Sequence, residues 1–108
     1  MAFMRPVLLL LSVLPLVAGQ AEQTFVGTIS DDMCALDHTA MRMGPTDAEC
    51  THACVEEHDA AYVLVDGSAV FRLSDQRAAK PFAGKKVKVA GKLDKATNTI
   101  TVGSISAA

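Results

Sequence analysis

Apolar and polar positions alternate from Thr24 to Ser30, with Phe25 and Ile29 set against Thr24, Val26 and Thr28. That pattern predicts a first β-strand with a bulge or bend at Gly27. Residues 31–46 hold no sustained period and run to Gly44-Pro45, so they predict a loop with room for one helical turn. Thr46-Asp47-Ala48-Glu49 then has the spacing of a capping box, which starts a helix running from about Asp47 to His58. After it the period drops to two. Ala61 to Val65 and Ala69 to Ser74 flank Asp66-Gly67-Ser68, a hairpin signal because glycine accepts positive φ. Asp75 to Lys80 make a short helical turn that Pro81 stops. Lys86 to Asp94 sets Val87, Val89 and Leu93 against Lys86, Lys88 and Lys92, with Gly91 on the apolar side allowing a bend. A turn over Lys95 to Asn98 leads to Thr99 to Ile105, where a phase slip at Gly103 brings Ile105 in line after Ile100 and Val102.

Five strands with a short helical turn between the third and fourth follow the order of an OB-type barrel. The expected fold is mainly β: a small five-stranded OB-like barrel with one α-helix inserted between strands 1 and 2. Residues 22–108 form a single domain, and the insertion spans 31–59. Tyr62-Val63-Leu64, Phe71-Arg72-Leu73-Ser74-Asp75, Gly84 to Asp94 and Thr99-Ile100-Thr101-Val102 resemble the bacterial OB-fold family of periplasmic stress-tolerance proteins. The resemblance lies in the order of hairpin, Gly-x-x-Val-x-Val-x-Gly strand and closing strand, and it implies an envelope role for the barrel. Residues 31–59 depart from that family altogether. Taken whole, the chain after Ala21 resembles small secreted bacterial domains of unknown function that place a Cys/His module before such a barrel.

The start of the chain is compositionally separate, since residues 1–21 hold 15 of the 54 apolar residues. Arg5 precedes the apolar run of Val7 to Leu11, which continues through Val13, Leu14, Leu16 and Val17 to the small residues Ala18, Gly19 and Ala21. This is the tripartite form of a secretory signal, cleaved after Ala21 with Gly19 as the competing site. The uninterrupted run is short for a membrane span and is bracketed by Pro6 and Pro15, so no stable span remains after cleavage. Gln20 stands where a lipoprotein signal needs cysteine. The rest of the chain is ordinary in composition, which excludes a disordered tail, a collagen-like chain, a coiled coil and a multispanning membrane protein. The expected location is the periplasm or the outside of the cell.

Net charge is -2 over the 108 residues, but the average hides an asymmetry. Residues 31–59 hold eight acids and Arg42 alone as a base, giving -7, whereas residues 60–108 come to +5. Two opposite modules in sequence attract and dock within one domain. The lysine row of Lys86, Lys88 and Lys92 reads as a charged outer strand face that blunts strand-to-strand aggregation. With Phe25, Tyr62, Phe71 and Phe82 the aromatics after the export segment, and those best placed as core, nucleic-acid binding is not expected.

The unusual chemistry lies in Cys34-x3-His38 and Cys50-x-His52-x-Cys54-x3-His58, which gather every cysteine and histidine of the chain. Residues four apart share a helix face, so Cys50, Cys54 and His58 form a slowly turning stripe that Cys34 or His38 completes from the loop. The candidate metal ligands are Cys34, His38, Cys50, Cys54 and His58; His52 is offset from the stripe. Thiolate and imidazole suit zinc or copper, and Met33, Met41 and Met43 lean the choice toward copper. The competing reading is a disulfide staple. Cys34 joined to Cys50 or Cys54 closes a loop of roughly 16–20 residues, worth about 3 kcal/mol in the chain-entropy picture, and leaves one thiol over.

Other chemistries rank below these. Covalent haem attachment requires a histidine directly after the second cysteine, and Val55 follows Cys54. A thiol nucleophile lacks an accompanying Asn or Gly-rich oxyanion segment. The functional expectation is a non-enzymatic, exported barrel domain, binding a metal ion or meeting an envelope protein, with a disulfide-stapled interaction domain as the alternative. The exported protein is expected to begin at Glu22. N-terminal sequencing checks this, and a mature chain that still starts at Met1 removes the export reading.

Overall fold

The computed structural model describes residues 21–35 and 46–108. Residues 1–20 of the expected export signal, together with His38, Met41 and Met43, lie outside those residues. The elements run β1 (Gln23–Asp31), α1 (Asp47–His58), β2 (Tyr62–Asp66), β3 (Ala69–Leu73), α2 (Gln76–Ala79), a 3-10 turn (Lys80–Phe82), β4 (Lys86–Asp94) and β5 (Thr99–Ala107).

The fold is mainly β, and its five strands close into a ring in the order β1-β2-β3-β5-β4. Closure depends on β1 serving two neighbours. Its first part, Gln23 to Thr28, runs antiparallel to β4, and its last part, Thr28 to Asp31, runs antiparallel to β2. On the other side, β3 meets β5 in parallel at Arg72↔Thr99 and Leu73↔Ile100. The alternation of β4 does what its pattern dictates: Val87 and Val89 point inward and are fully buried, while Lys86 and Lys88 face water. Ile29, Leu64 and Ile100 complete the buried centre, each aliphatic side chain contributing about 1.5–3 kcal/mol by leaving water. Tyr62 is buried, and Phe25, Phe71 and Phe82 pack against the same core, with the Phe25 and Phe71 rings 5.5 Å apart and tilted.

Gly27 is needed for a different reason from the one the pattern suggests. The ladder runs unbroken through Val26↔Lys88, Gly27↔Val87 and Thr28↔Lys86, so there is no bulge. A Cβ at Gly27 would instead lie 2.3 Å from the Val65 carbonyl oxygen, because β1 passes from one partner strand to the other at this point. The irregularity sits in the β4–β5 ladder. Ala90 faces Ser104 and Gly91 faces Val102, which leaves Gly103 as the extra residue and accounts for the phase slip before Ile105.

α1 occupies the β1–β2 connection where the capping box places it, with Glu49 N–H donating to Thr46 Oγ1 at 3.1 Å. It stops at Asp59, whose left-handed backbone (φ 56°) turns the chain, and Ala60 N–H donates to the Cys54 carbonyl. The expectation of one helix is corrected, since α2 and the 3-10 turn follow β3. Asp75 accepts from Ala78 N–H to start α2, and the proline of the 3-10 turn ends it. Gln76 on α2 behaves as a fragment of strand: its Oε1 accepts from Tyr62 N–H at 2.7 Å and its Nε2 donates to the Tyr62 carbonyl at 2.9 Å.

Gly27→Ala is expected to destabilise the protein by about 1–3 kcal/mol, because the new methyl meets backbone rather than a flexible side chain. Val26→Ala, one residue away and 40% exposed, should change stability by less than about 0.5 kcal/mol. Thermal melts of the two variants check the contrast, at roughly 4–8 °C per kcal/mol for a domain of this size.

Candidate metal centre

The site begins where β1 ends. Asp31 pairs with Tyr62 as the last residue of β1 and has no exposed surface. Its Oδ1 accepts from Met33 N–H at 3.0 Å and from Cys34 N–H at 2.9 Å, and its carbonyl accepts from Ala35 N–H. An aspartate side chain satisfying backbone donors two and three residues ahead folds the chain into a tight turn. Ser30 Oγ secures the same turn by donating to the Ala35 carbonyl at 3.0 Å. The result fixes Cys34 beside the cysteines of α1.

α1 presents Cys50, Thr51 and Cys54 to the interior. Its most buried face is thus two thiols and a hydroxyl rather than leucines or valines. The Thr51 hydroxyl has no hydrogen-bond partner among the described residues. The Cys50, Cys54 and Cys34 sulfurs all lie within 4.8 Å of one another, and Cys34 Sγ is 3.9 Å from Cys54 Sγ. That separation is a thiol contact, since a disulfide bond is about 2.05 Å long. Cys50 and Cys54 are buried and Cys34 is half-buried. Three cysteines are therefore placed to hold a metal ion.

Burial and the Asp31 carboxylate act on these thiols in the same direction. Removal from water pushes the Cys54 thiol up to about 12 from an ordinary 9.0, and the negative charge of Asp31 adds to it. Cys34 is raised by the same two causes in the same order. Both are therefore neutral thiols near neutral pH in the ion-free protein, inert as nucleophiles, and a ligand must displace their protons.

The histidines part company with the cysteines. His58 is exposed on the last turn of α1 and stands outside the sulfur cluster. Each four-residue step overshoots a full helical turn by about 40°, so two steps from Cys50 carry the stripe off the buried face before it reaches His58. His38 lies outside the described residues. His52, offset from the stripe, has a partner of its own: its Nδ1 is 2.8 Å from the Tyr62 hydroxyl, with the rings edge to face. That bond gives the phenol of a buried tyrosine a partner and ties α1 to β2. Glu56, on the same helix, forms an ion pair with Lys80 at 3.2 Å, one contact between the acidic and basic halves of the chain.

Asp31 is the residue that pattern reading passed over, as one acid among eight. Its signal was a strand running straight into Ser30-Asp31-Asp32, the composition of a side-chain-capped turn. Asp32 completes the junction by accepting from Ala61 N–H, while its own N–H donates to the Ala61 carbonyl, which closes the two ends of the α1 insertion.

A family model described as protein of unknown function (DUF5818) matches residues 54–108, just over half of the chain. The chain belongs to that family. The DUF5818 match starts at Cys54 and takes in β2 to β5, so β1, Asp31, Cys34 and Cys50 fall before it. No curated protein and no solved structure matches the chain significantly.

A cysteine whose proton is held more tightly in the native than in the unfolded chain stabilises the fold fully below the unfolded value and progressively less above it. With Cys54 raised from 9.0 to about 12, reduced, ion-free protein should lose stability as pH climbs from about 9 toward 12. Urea melts across that range check the slope, which Cys54→Ala should make shallower.

Proposed function

We propose that this DUF5818 chain is an exported, non-enzymatic OB-like barrel domain that holds a thiophilic metal ion, zinc or copper, between β1 and α1. The reading is carried by the convergence of the Cys34, Cys50 and Cys54 sulfurs within 4.8 Å of one another. Three thiolates converging from two elements suit soft ions, which such ligands select over magnesium or calcium. The OB-like assignment draws support from the ring order and from the parallel β3–β5 closure. The insertion that carries the cysteines joins strands 1 and 2, one of the connections near which OB barrels commonly bind their ligands. Export rests on the composition of residues 1–21, and an envelope-stress role rests on the barrel's resemblance to periplasmic stress-tolerance proteins. Among the described residues no helix is long and apolar enough to cross a membrane.

A second reading, a disulfide-stapled interaction domain, is favoured by the 3.9 Å between Cys34 Sγ and Cys54 Sγ, which a small side-chain shift would close to a bond. The two readings part on oxidation state, because oxidation removes the thiolates that an ion needs. Reduced protein is expected to bind about one equivalent of Zn(II) or Cu(I) with proton release; Cys54→Ser should abolish binding and His52→Ala should retain it. Protein purified from the envelope with no metal and a single titratable thiol would establish the staple instead.

A further inference from the structure

Sulfurs that converge closely enough to share an ion are also close enough to bond, and the same pair cannot do both at once. Cys34 Sγ lies 3.9 Å from Cys54 Sγ, with the Cys50 sulfur within 4.8 Å of both. The 3.9 Å pair bridges two separately positioned elements. Cys34 is set by the Asp31 and Ser30 turn at the end of β1, whereas Cys54 belongs to α1, which starts on its own Thr46 cap and meets β2 through His52 and Tyr62. Closing 3.9 Å to a disulfide of about 2.05 Å is therefore within reach of side-chain movement, with both elements left in place. A sulfur in a disulfide carries no negative charge and is lost as a ligand. Joining Cys34 to Cys54 removes two of the three thiolates together, whatever further donor the ion takes.

We propose that the cluster is a redox-gated ion site: reduced, it retains a thiophilic ion, and oxidised by a low-molecular-weight disulfide it joins Cys34 to Cys54 and discharges that ion. The proposal rests on the reading of the cluster as an ion site and assigns the control of that site. Cys34, half-buried where Cys50 and Cys54 are buried, offers the accessible sulfur and attacks one sulfur of the small disulfide, whose S–S bond breaks as one small thiolate leaves. Cys54 then attacks the Cys34 sulfur, the mixed disulfide breaks, and the second small thiolate leaves. Two cysteine sulfurs give up two electrons and the small disulfide takes them, ending as two thiols. Their protons come from the cysteines when the site is empty and from water when the cysteines are ion-bound thiolates. The ion departs to solvent, and Cys50 remains reduced.

The test equilibrates reduced, zinc-loaded protein anaerobically in glutathione buffers of graded oxidation at fixed free Zn(II), read by mass spectrometry and by a zinc-sensitive dye. The expected product lacks two hydrogens, shows a Cys34–Cys54 link by tandem mass spectrometry, and has released about one Zn(II) per bond formed; dithiothreitol restores the starting state. Because ion and bond compete for the same sulfurs, a tenfold rise in free Zn(II) should demand about a tenfold higher ratio of oxidised glutathione to the square of reduced glutathione. Cys50→Ser keeps the bonding pair and lacks one ligand, so its bond should form at a ratio that free Zn(II) no longer shifts over the same range. Zinc retained after the bond has formed, a link between any other pair, a product that stalls as the glutathione adduct, or a wild-type midpoint independent of zinc overturns the proposal and leaves the metal centre standing. If the reduced protein binds no ion, the metal-centre reading fails and the gate with it, and a bond that still forms is the staple alone.

Discussion

The carboxylate of Asp31, sealed at the end of β1, is the constraint on which the site depends. One oxygen holds the backbone amides of Met33 and Cys34, and the same charge bears on the thiols of Cys34 and Cys54. The residue that aims the loop thiol at the helix thiols thus also adds to the effect of burial in favouring their protonated form, whose protons a bound cation would have to displace. Position and reactivity are coupled through a single side chain. An asparagine there could keep the turn but would relax the thiols, and an alanine would release both.

Among the described residues, α1 is held to the sheet by few contacts besides its buried face. A twelve-residue helix is marginal alone, and α1 offers the interior two cysteines and a threonine whose hydroxyl finds no partner among the described residues. Val55 reaches the core from the side, His52 ties the helix to Tyr62, and the Glu56–Lys80 pair is exposed and weak. By contrast, the ring beneath closes on fully buried Ile29, Leu64, Val87, Val89 and Ile100. A ligand or a bond at the sulfurs would therefore act on α1 more than on the ring of strands.

What could be read from the chain follows this division. Period-two alternation located all five strands, since each buries one face, and Thr46 with Glu49 located the start of α1 because a cap is a local interaction. The role of Gly27 was not legible: the Val65 oxygen it accommodates lies 38 positions away, and no local pattern encodes that approach. Cys50 and Cys54 were legible as a pair from their spacing. Extending the same spacing to His58 failed, because the drift of the stripe around the helix accumulates with each step. The engagement of His52 by Tyr62 is a contact between elements, and only the docking of α1 on β2 creates it.

Gln76 has a consequence outside the site. Tyr62 pairs with Asp31 on one side, while the β2–β3 ladder reaches only Val63↔Arg72 on the other. The amide and carbonyl left at that corner are the kind of open hydrogen-bonding edge on which a neighbouring chain can build a strand. The Gln76 side chain occupies both groups and also donates to the Leu73 carbonyl. The corner is therefore closed to intermolecular sheet growth by a residue that belongs to no strand, which leaves this small barrel less prone to self-association at high local concentration.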